Sequence, residues 1–364
     1  MIRSNTSFGK LKEVIVGREL ELKKRIADFT FQHFYQENLD QAVYDRLKTS
    51  DNEYYVNYDI LVKRNEQLDQ LANAIEKLGV KVHRPDRLNQ VIPFTTPHFK
   101  SELSAASNVR DVTLVYNDSI IETPTYVLNR YFENVSLYGV YNEAYEGGKG
   151  GRWFRPPHTK LVADTMDLSP WNSPRDYSAF DRRKYTMAID GAQFLRIGTD
   201  VIVNVNSYNH YLGYEWVKSF FPNTNFHVVH VADNHIDGVL VCLKPGVFLV
   251  NPLYKNIRDI MPAKFKNWTY LFPEDDGKPI KIKEGMTSLD IQLASTRGMD
   301  VNVLSIDENT VMVNESAINV TRLLEANGFN VAQVQLENCE VFGGGIHCST
   351  LDLHRDDEYL DYTK

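Results

Sequence analysis

Residues 301–336, VNVLSIDENTVMVNESAINVTRLLEANGFNVAQVQL, contain one complete supersecondary unit. Val301–Ile306 and Val311–Val313 have the composition of strands and flank a short polar turn. The following segment has apolar residues at helical spacing and stops at Gly328, and residues 330–336 alternate as a strand. The stretch therefore predicts the order strand, turn, strand, helix, strand.

The same order of elements recurs in the preceding residues. Strands rich in β-branched residues, followed by helical segments and further strands, give repeat units that start near residues 11, 112, 195, 239 and 301. Structural repetition without a shared sequence favours a radial or stacked α/β architecture, and an ordinary α/β sheet with hairpins fits the pattern equally well. Residues 147–189 are rich in glycine, proline and charge, and we expect a long connection there.

Length and composition limit the class of protein. A chain of 364 residues suits two domains or one large repetitive architecture. The formal net charge of -8 argues against nucleic acid or an anionic membrane as a partner and suits a small cationic substrate. No apolar stretch reaches the roughly 20 residues that span a bilayer, and the N-terminus lacks the apolar segment of a signal peptide. We therefore expect a cytoplasmic protein with reduced cysteines.

Cys348 follows three adjacent glycines, Gly343–Gly345. Such a run costs conformational entropy, which favours a backbone that approaches another group closely or adopts positive φ. The thiol could be presented into a cleft by that turn, and it could equally be a small buried apolar residue. We expect Cys242, at an apolar strand position, and Cys339 to be structural. His347 is expected to point away from Cys348, since neighbours in an extended chain face opposite sides.

Four charged or titratable residues lie near predicted strand ends in different repeats. His235 and Asp237, two residues apart before a strong strand, are expected to point to the same side. Asp190 stands in an otherwise apolar run, and Asp111 immediately precedes a strand. A carboxylate in such a place is costly unless it has a partner, although each could be a turn or capping residue. Together with the thiol, they predict one distributed site.

These residues, with their neighbours, resemble the arginine amidinotransferases. The resemblance runs from about residue 8 to residue 352, nearly the whole chain. It rests on Gly343–Asp352 (GGGIHCSTLD), His235–Asp237, Pro245-Gly246, Asn251-Pro252, Ile189–Asp200, Arg110-Asp111, Ile120–Pro124 and Leu11–Gly17.

The resemblance implies a single domain over residues 1–364, folded as a five-fold pseudosymmetric α/β-propeller of ββαβ-type units with the active site on its axis. The roles that it implies are nucleophile for Cys348, general acid and base for His235, orientation of the histidine or the guanidinium for Asp190, guanidinium binding for Asp111 and Asp237, and substrate contact for Ser295 and Thr296. It also implies a homodimer, small-molecule substrates (L-arginine and an amine) and no metal or organic cofactor.

The implied reaction is chemically consistent with these residues. A guanidinium is a poor electrophile, so it needs a strong nucleophile and carboxylates that hold its plane. The thiolate of Cys348 would attack the guanidinium carbon while His235 protonates the departing amine, so that ornithine leaves. A primary amine would then take the amidino group from the cysteine, with ping-pong kinetics.

Three positions depart from the family pattern. Tyr254 stands where relatives have an arginine for the donor's carboxylate, and Tyr254, Lys255 or Arg258 could replace it. Gln193 occupies the place of a second carboxylate. The loop 232–234 differs beside the acceptor pocket, so Asn234 and Tyr254 are expected to bind substrate. The change suggests an acceptor other than glycine, such as lysine, as in phaseolotoxin-type toxin biosynthesis.

Two alternatives stay open at this point. An arginine deiminase-like or dimethylarginine hydrolase-like enzyme would use the same residues and let water attack the intermediate. A propeller without catalytic activity would use the fold as a binding scaffold, because fold alone does not imply function.

Overall fold

The computed structural model describes residues 1–21, 28–34, 45, 56–147, 151–231, 233–275 and 299–364. The strands in these ranges are β1 Lys10–Val16, β2 Lys81–His83, β3 Pro93–Thr95, β4 Lys100–Glu102, β5 Thr113–Tyr116, β6 Ser119–Glu122, β7 Arg152–Phe154, β8 Phe194–Ile197, β9 Asp200–Asn204, β10 Asn225–Val229, β11 Leu240–Lys244, β12 Val247–Val250, β13 Thr269–Leu271, β14 Leu304–Ser305, β15 Thr310–Asn314, β16 Asn330–Val334 and β17 Thr350–Asp356. The α-helices are Phe29–Phe34, Tyr58–Lys77, Tyr138–Glu146, Tyr208–Lys218, Ile257–Ile260, Ile318–Ala326 and Cys339–Phe342. None of the helices in these ranges is long and apolar enough to cross a membrane.

Five three-stranded sheets in the described chain share one plan. Their orders are β17-β1-β2, β5-β6-β7, β8-β9-β10, β11-β12-β13 and β14-β15-β16. In each sheet the middle strand pairs antiparallel with the first strand and parallel with the third. Helical segments lie in the connection between the two parallel strands, as such a crossover requires. The observed order is the strand, turn, strand, helix, strand unit expected from residues 301–336.

The first sheet takes its outer strand from the far end of the chain. β17 pairs with β1 from Lys10↔Asp356 to Val16↔Thr350, so the unit near residue 11 is completed by residues 350–356. The carboxylate of Asp357 reinforces this closure by accepting the backbone N–H groups of Asn5, at 2.9 Å, and Thr6, at 2.7 Å. Cys348, just before β17, therefore belongs structurally to the first unit.

Some predicted boundaries are wrong for identifiable reasons. The segment 147–189 contains β7, a three-residue strand that pairs with β6 and places Trp153 against Tyr138 and Tyr141. So short a strand beside glycines leaves no alternating pattern in the sequence. The strand predicted at 301–306 is reduced to Leu304–Ser305, because residues 299–301 form a 3-10 turn.

Buried charge fastens three of the sheets together near the site. Asp352 on β17 accepts hydrogen bonds from Arg110 Nη2, at 2.8 Å, from Arg355 Nε, at 2.9 Å, and from Arg196 Nη2. All four side chains are at least 94% buried. Burial opposes ionisation of Asp352, but the three guanidiniums hold its pKa well below its usual range. The cluster fixes Arg110, and with it Asp111, relative to the strand that follows Cys348.

Candidate active site

The glycine run before Cys348 is a place of close packing. Gly343 has φ +62°, and a Cβ on Gly344 would lie 2.4 Å from the side chain of Asn108. A Cβ on Gly345 would lie 2.9 Å from Asn302. The expected close approach and positive φ are thus both present, and they bring the loop 346–349 against Asn302.

The thiol of Cys348 is buried and held from two sides. Its Sγ lies 3.3 Å from Asp237 Oδ2 and accepts from Asn302 Nδ2 at 3.2 Å. The Cys348 N–H donates to Asn302 Oδ1 at 3.0 Å. Burial raises the pKa of this thiol well above its ordinary value, and the negative charges of Asp237 and Asp111 raise it further. The resting residue is therefore a neutral thiol that donates to Asp237.

Asp237 receives a second donor from His347. His347 Nδ1 lies 2.8 Å from Asp237 Oδ2, and because the acceptor is a carboxylate, Nδ1 must carry the proton. Burial would raise the pKa of Asp237, but the bond from His347 and the nearby charges lower it to about 2. Burial and then Arg110 lower the pKa of His347 to about 4, so this imidazole is neutral. The sequence-based orientation of His347 is wrong, since residues 346–349 form turns rather than extended chain.

His235 lies between two other carboxylates. Its Nε2 is 3.0 Å from Asp190 Oδ2, and its Nδ1 is 3.6 Å from Asp111 Oδ1. Burial would lower the pKa of His235, but the charge of Asp111 and the bond and charge of Asp190 raise it to about 9. The ring of Phe34 packs edge-on against it at 5.3 Å. At neutral pH, His235 is therefore an imidazolium, which can donate a proton.

The two carboxylates beside His235 are fixed by further contacts. Asp111 Oδ2 accepts from Arg130 Nη1 at 2.7 Å, and burial nevertheless raises the pKa of Asp111. Burial opposes ionisation of Asp190 too, but its hydrogen bond to His235 leaves its pKa lowered. The Asp190 N–H donates to Gln193 Oε1 at 2.8 Å, and Gln193 Nε2 donates to the Asn204 carbonyl at 2.7 Å. Gln193 thus supports the Asp190 loop from within the protein.

Several buried polar atoms of this site have no hydrogen-bond partner among the residues that the structure describes. They are Asp111 Oδ1, Asp190 Oδ1, Asp237 Oδ1, and both the nitrogen and the oxygen of the Asn234 amide. Leaving such groups desolvated and unpaired costs about 1–3 kcal/mol each. Native structures rarely retain several together without a purpose. Three carboxylate oxygens near a thiol and an imidazolium can hold a planar cation and offer it a nucleophile and an acid.

The site residues occupy equivalent places in the five sheets. Each stands two to four positions before the first strand of its sheet: Asp111 before β5, Asp190 before β8, Asp237 before β11, Asn302 before β14 and Cys348 before β17. One loop per unit therefore supplies one contacting or charged side chain.

The structure brings together most of the residues predicted from the sequence. Cys348 contacts Asp237, while His235 pairs with Asp190 and Asp111. The hydroxyl of Tyr254 donates to Asp233 Oδ2 at 2.8 Å, so Tyr254 does not supply the free cation that an arginine at this position would provide. Lys255 and Arg258 are exposed. Ser295 and Thr296 lie outside the described residues.

The other two cysteines are buried and hydrogen-bond to backbone carbonyls. Cys242 Sγ contacts the Lys244 carbonyl at 3.6 Å and Cys339 Sγ contacts the Leu336 carbonyl at 3.2 Å. Burial raises the pKa of Cys339 to about 11 and that of Cys242 well above its ordinary value. Both are packing residues, as expected.

Three residues of the site were not predicted. Asn302 holds the thiol, His347 holds Asp237, and Arg130 holds Asp111. Only His347 had a visible signal, its position next to Cys348. In the described part of the chain, no group of three or more His, Cys, Asp or Glu side chains is arranged to hold a metal ion. The absence of a cofactor from the reaction stays a prediction.

Comparison with known proteins gives this site a family context. No protein-family model matches the chain. Mitochondrial glycine amidinotransferase of Danio rerio is 27% identical over 304 residues, 79% of this chain and 68% of the relative. The L-arginine:L-lysine amidinotransferase of Pseudomonas savastanoi pv. phaseolicola is 28% identical over 303 residues, 82% of this chain and 80% of the relative.

The solved structures with a similar fold also include amidinotransferases. Inosamine-phosphate amidinotransferase StrB1 of Streptomyces griseus superposes with a TM-score of 0.80 at 25% identity, covering 100% of this chain and 99% of its own. The dimethylarginine dimethylaminohydrolase of Pseudomonas aeruginosa, at 12% identity and a TM-score of 0.55, covers 94% of this chain and 99% of its own and shares the fold alone. The chain is a mixed α/β protein related to the amidinotransferases, and these homologues identify it as a transferase enzyme.

Proposed function

We propose that this enzyme moves the amidino group of L-arginine to a primary amine through an amidino-cysteine on Cys348. The observation that supports this reaction most strongly is the set of unpartnered oxygens on Asp111, Asp190 and Asp237 around one thiol and one imidazolium. A guanidinium is a planar cation whose N–H groups match carboxylate oxygens in charge and geometry.

The first half-reaction uses the protonation states of the free site. Because Asp237 and Asp111 raise the pKa of the thiol, a guanidinium that offsets their charges favours release of the thiol proton to solvent, while His235 keeps its own proton. The thiolate forms a bond to the guanidinium carbon. His235 gives its proton to the departing nitrogen, the carbon–nitrogen bond breaks, and ornithine leaves.

The second half-reaction reverses the proton movement. His235, now neutral, takes a proton from the incoming amine, whose nitrogen forms a bond to the amidino carbon. The carbon–sulfur bond then breaks and returns its electron pair to Cys348. Asn302 Nδ2, which donates to Sγ at 3.2 Å, stabilises the thiolate at both stages.

The acceptor is proposed to be an amine other than glycine, with lysine as the first candidate. Support comes from the similarity to an arginine:lysine amidinotransferase over 82% of the chain and from the Asn234 amide, which is buried without partners beside His235. A place in toxin biosynthesis, assembly as a homodimer and a cytoplasmic location stay predictions. The substrate roles of Ser295 and Thr296 also stay predictions.

The five sheets are proposed to stand around a common axis as a five-fold α/β-propeller in one domain over residues 1–364. The support is the equivalence of the five site loops, since the units of a propeller each present one loop to a common central site. Asp352, bonded by arginines from three units, would lie beside that axis.

Product analysis tests the proposal. The purified protein is incubated with arginine and with glycine, lysine, ornithine or hydroxylamine, and the products are identified by mass spectrometry. We expect ornithine and a guanidino product that both depend on an acceptor. Citrulline formed at the same rate with and without an acceptor would instead indicate a hydrolase, and no arginine consumption under any condition would favour the scaffold alternative.

A further inference from the structure

One carboxylate beside the site plays no part in the proposed chemistry. Asp233, two residues before His235, accepts the hydroxyl of Tyr254 at 2.8 Å and the N–H of Asn234 at 2.6 Å. The residue is half-buried. Neither Cys348 nor a predicted guanidinium-binding carboxylate depends on Asp233 for a hydrogen bond.

The charge of Asp233 is only partly compensated by the described residues around it. Among the residues that the structure describes, no lysine or arginine forms an ion pair with it. Its nearest charged neighbours are His235, which favours its ionised form, and Asp237, which opposes it, and burial raises its pKa. Desolvation destabilises the ionised form of a half-buried carboxylate that has no cation bound to it, and a cationic ligand would offset that cost.

The backbone around Asp233 is fixed rather than free to turn away. Asn204 Nδ2 donates to the Asp233 carbonyl at 2.7 Å and to the Asn234 carbonyl at 3.1 Å. Asn206 Nδ2 donates to the same Asp233 carbonyl and to the Val231 carbonyl, the latter at 2.7 Å. Two buried asparagines thus hold the loop that carries Asp233 in one position.

Asn234 supplies an independent sign of a missing ligand. It is 5% exposed, and within the described ranges neither its amide nitrogen nor its amide oxygen has a hydrogen-bond partner. A buried amide is normally satisfied, because its desolvation is otherwise uncompensated. It stands between Asp233 and His235 in the chain, so a ligand that reached both would pass it.

We propose that Asp233, aided by the Asn234 amide oxygen, binds an ammonium group that a substrate carries away from its reacting nitrogen. This inference rests on the proposed function. Consecutive Cα atoms are 3.8 Å apart, so the Cα atoms of Asp233 and His235 are at most about 7.6 Å apart. A single small substrate with two cationic ends, such as a basic amino acid or a diamine, could therefore reach both residues.

The test compares substrates with and without that ammonium group in the full-length protein and in Asp233→Asn. The donor arm compares kcat/KM for arginine and for 5-guanidinopentanoate, which lacks only the α-ammonium. The acceptor arm compares lysine and 6-aminohexanoate in the same way. Asp259→Asn, at an exposed aspartate on another loop, serves as the matched control.

In the unaltered protein we expect the ammonium-bearing substrate to be preferred by about 10- to 100-fold in at least one arm. Asp233→Asn is expected to reduce that preference to nearly one, while turnover of the ammonium-free substrate persists and shows that the variant is folded. The comparison in which Asp233→Asn loses the preference shows whether the donor or the acceptor is the substrate bound by Asp233. A preference that survives in Asp233→Asn, or its absence from both arms, would overturn the inference. Failure of the unaltered protein to release ornithine would instead refute the proposed function.

Discussion

Two groups of buried carboxylates in this protein differ in how completely the protein itself hydrogen-bonds their oxygens. Asp352 is surrounded by Arg110, Arg196 and Arg355, and each of its oxygens accepts from the protein itself. Asp111, Asp190 and Asp237 are buried as deeply, yet in the described part of the chain each keeps one oxygen without a hydrogen-bond partner.

Among the described residues, buried carboxylates therefore occur both with all oxygens hydrogen-bonded and with one oxygen left unbonded. Around Asp352 the chain supplies guanidiniums, and the interaction holds the fold together. Beside Cys348 the chain supplies none to the three unpartnered oxygens, so a guanidinium from outside can complete them. The comparison separates a carboxylate that serves stability from carboxylates that we propose serve binding.

The largest expected effect comes from the nucleophile. Cys348→Ala should lower acceptor-dependent ornithine formation by more than about 1000-fold, because no other group can carry the amidino intermediate. Cys339→Ala, at a cysteine with no carboxylate contact, should retain most of the activity. Equal rates for the two variants would show that Cys348 is not the nucleophile.

The comparison itself is tested by Asp352→Asn and Asp237→Asn. The first leaves three buried guanidiniums without their carboxylate and should lower the free energy of unfolding by about 3–5 kcal/mol. The second should change that free energy by only about 1 kcal/mol and lower kcat/KM for arginine about 100-fold. Denaturant unfolding and initial rates measure the two effects. A loss of stability in Asp237→Asn as large as in Asp352→Asn would break the distinction.

The pH profile should separate binding from stability. The free site carries a proton on the thiol and another on His235, and one must leave before attack. Because the pKa of His235 is about 9, kcat/KM for arginine should rise about tenfold per pH unit up to pH 9 and then level off.

The stability of the same protein should move in the opposite direction. The pKa of His235 is raised from 6.5 to about 9 in the folded state. Its stabilising contribution is therefore complete below pH 6.5 and is lost as the pH rises through 9. Unfolding measured from pH 6 to 10 should show this slope, and His235→Asn should remove it. Parallel changes of activity and stability would contradict the assignment.

The smallest expected effect concerns Asn302. Asn302→Ala removes the amide that donates to Sγ and should lower kcat about tenfold, with a further rise in the pKa of the thiol. Alkylation of Cys348 by iodoacetamide as a function of pH measures that pKa directly. An unchanged alkylation profile would leave Asn302 with a packing role only.

Local pattern was enough to predict the repeating unit and the meeting of Cys348, His235, Asp190, Asp111 and Asp237. These residues stand beside strong strands or beside glycines, where a polar or reactive group has a visible cost. Asn302 could not be found in this way. The apolar run predicted a strand over 301–306, which hides Asn302 inside an element, whereas the true strand is Leu304–Ser305.

The closure of the first sheet was also beyond local pattern. Nothing in the composition of Lys10–Val16 or Thr350–Asp356 indicates that they pair with each other. Pairing over such a distance depends on the shape of everything between them. For the same reason, the departure at Tyr254 could be noticed in the sequence, but its partner Asp233 could be identified only from the structure.

That closure has a consequence for the order in which the protein matures. Asn5 and Asp357, which bond to each other, are separated by 352 positions, and contacts of such long range form late because the entropy of loop closure must be met first. During synthesis the N-terminal strand must wait, with one edge unpaired, until residues 350–356 emerge. Cys348 lies beside that last strand. The nascent chain therefore places Cys348 beside Asp237 and Asn302 only after residues 350–356 have paired with the N-terminal strand, so on the proposed mechanism an unfinished chain is inactive.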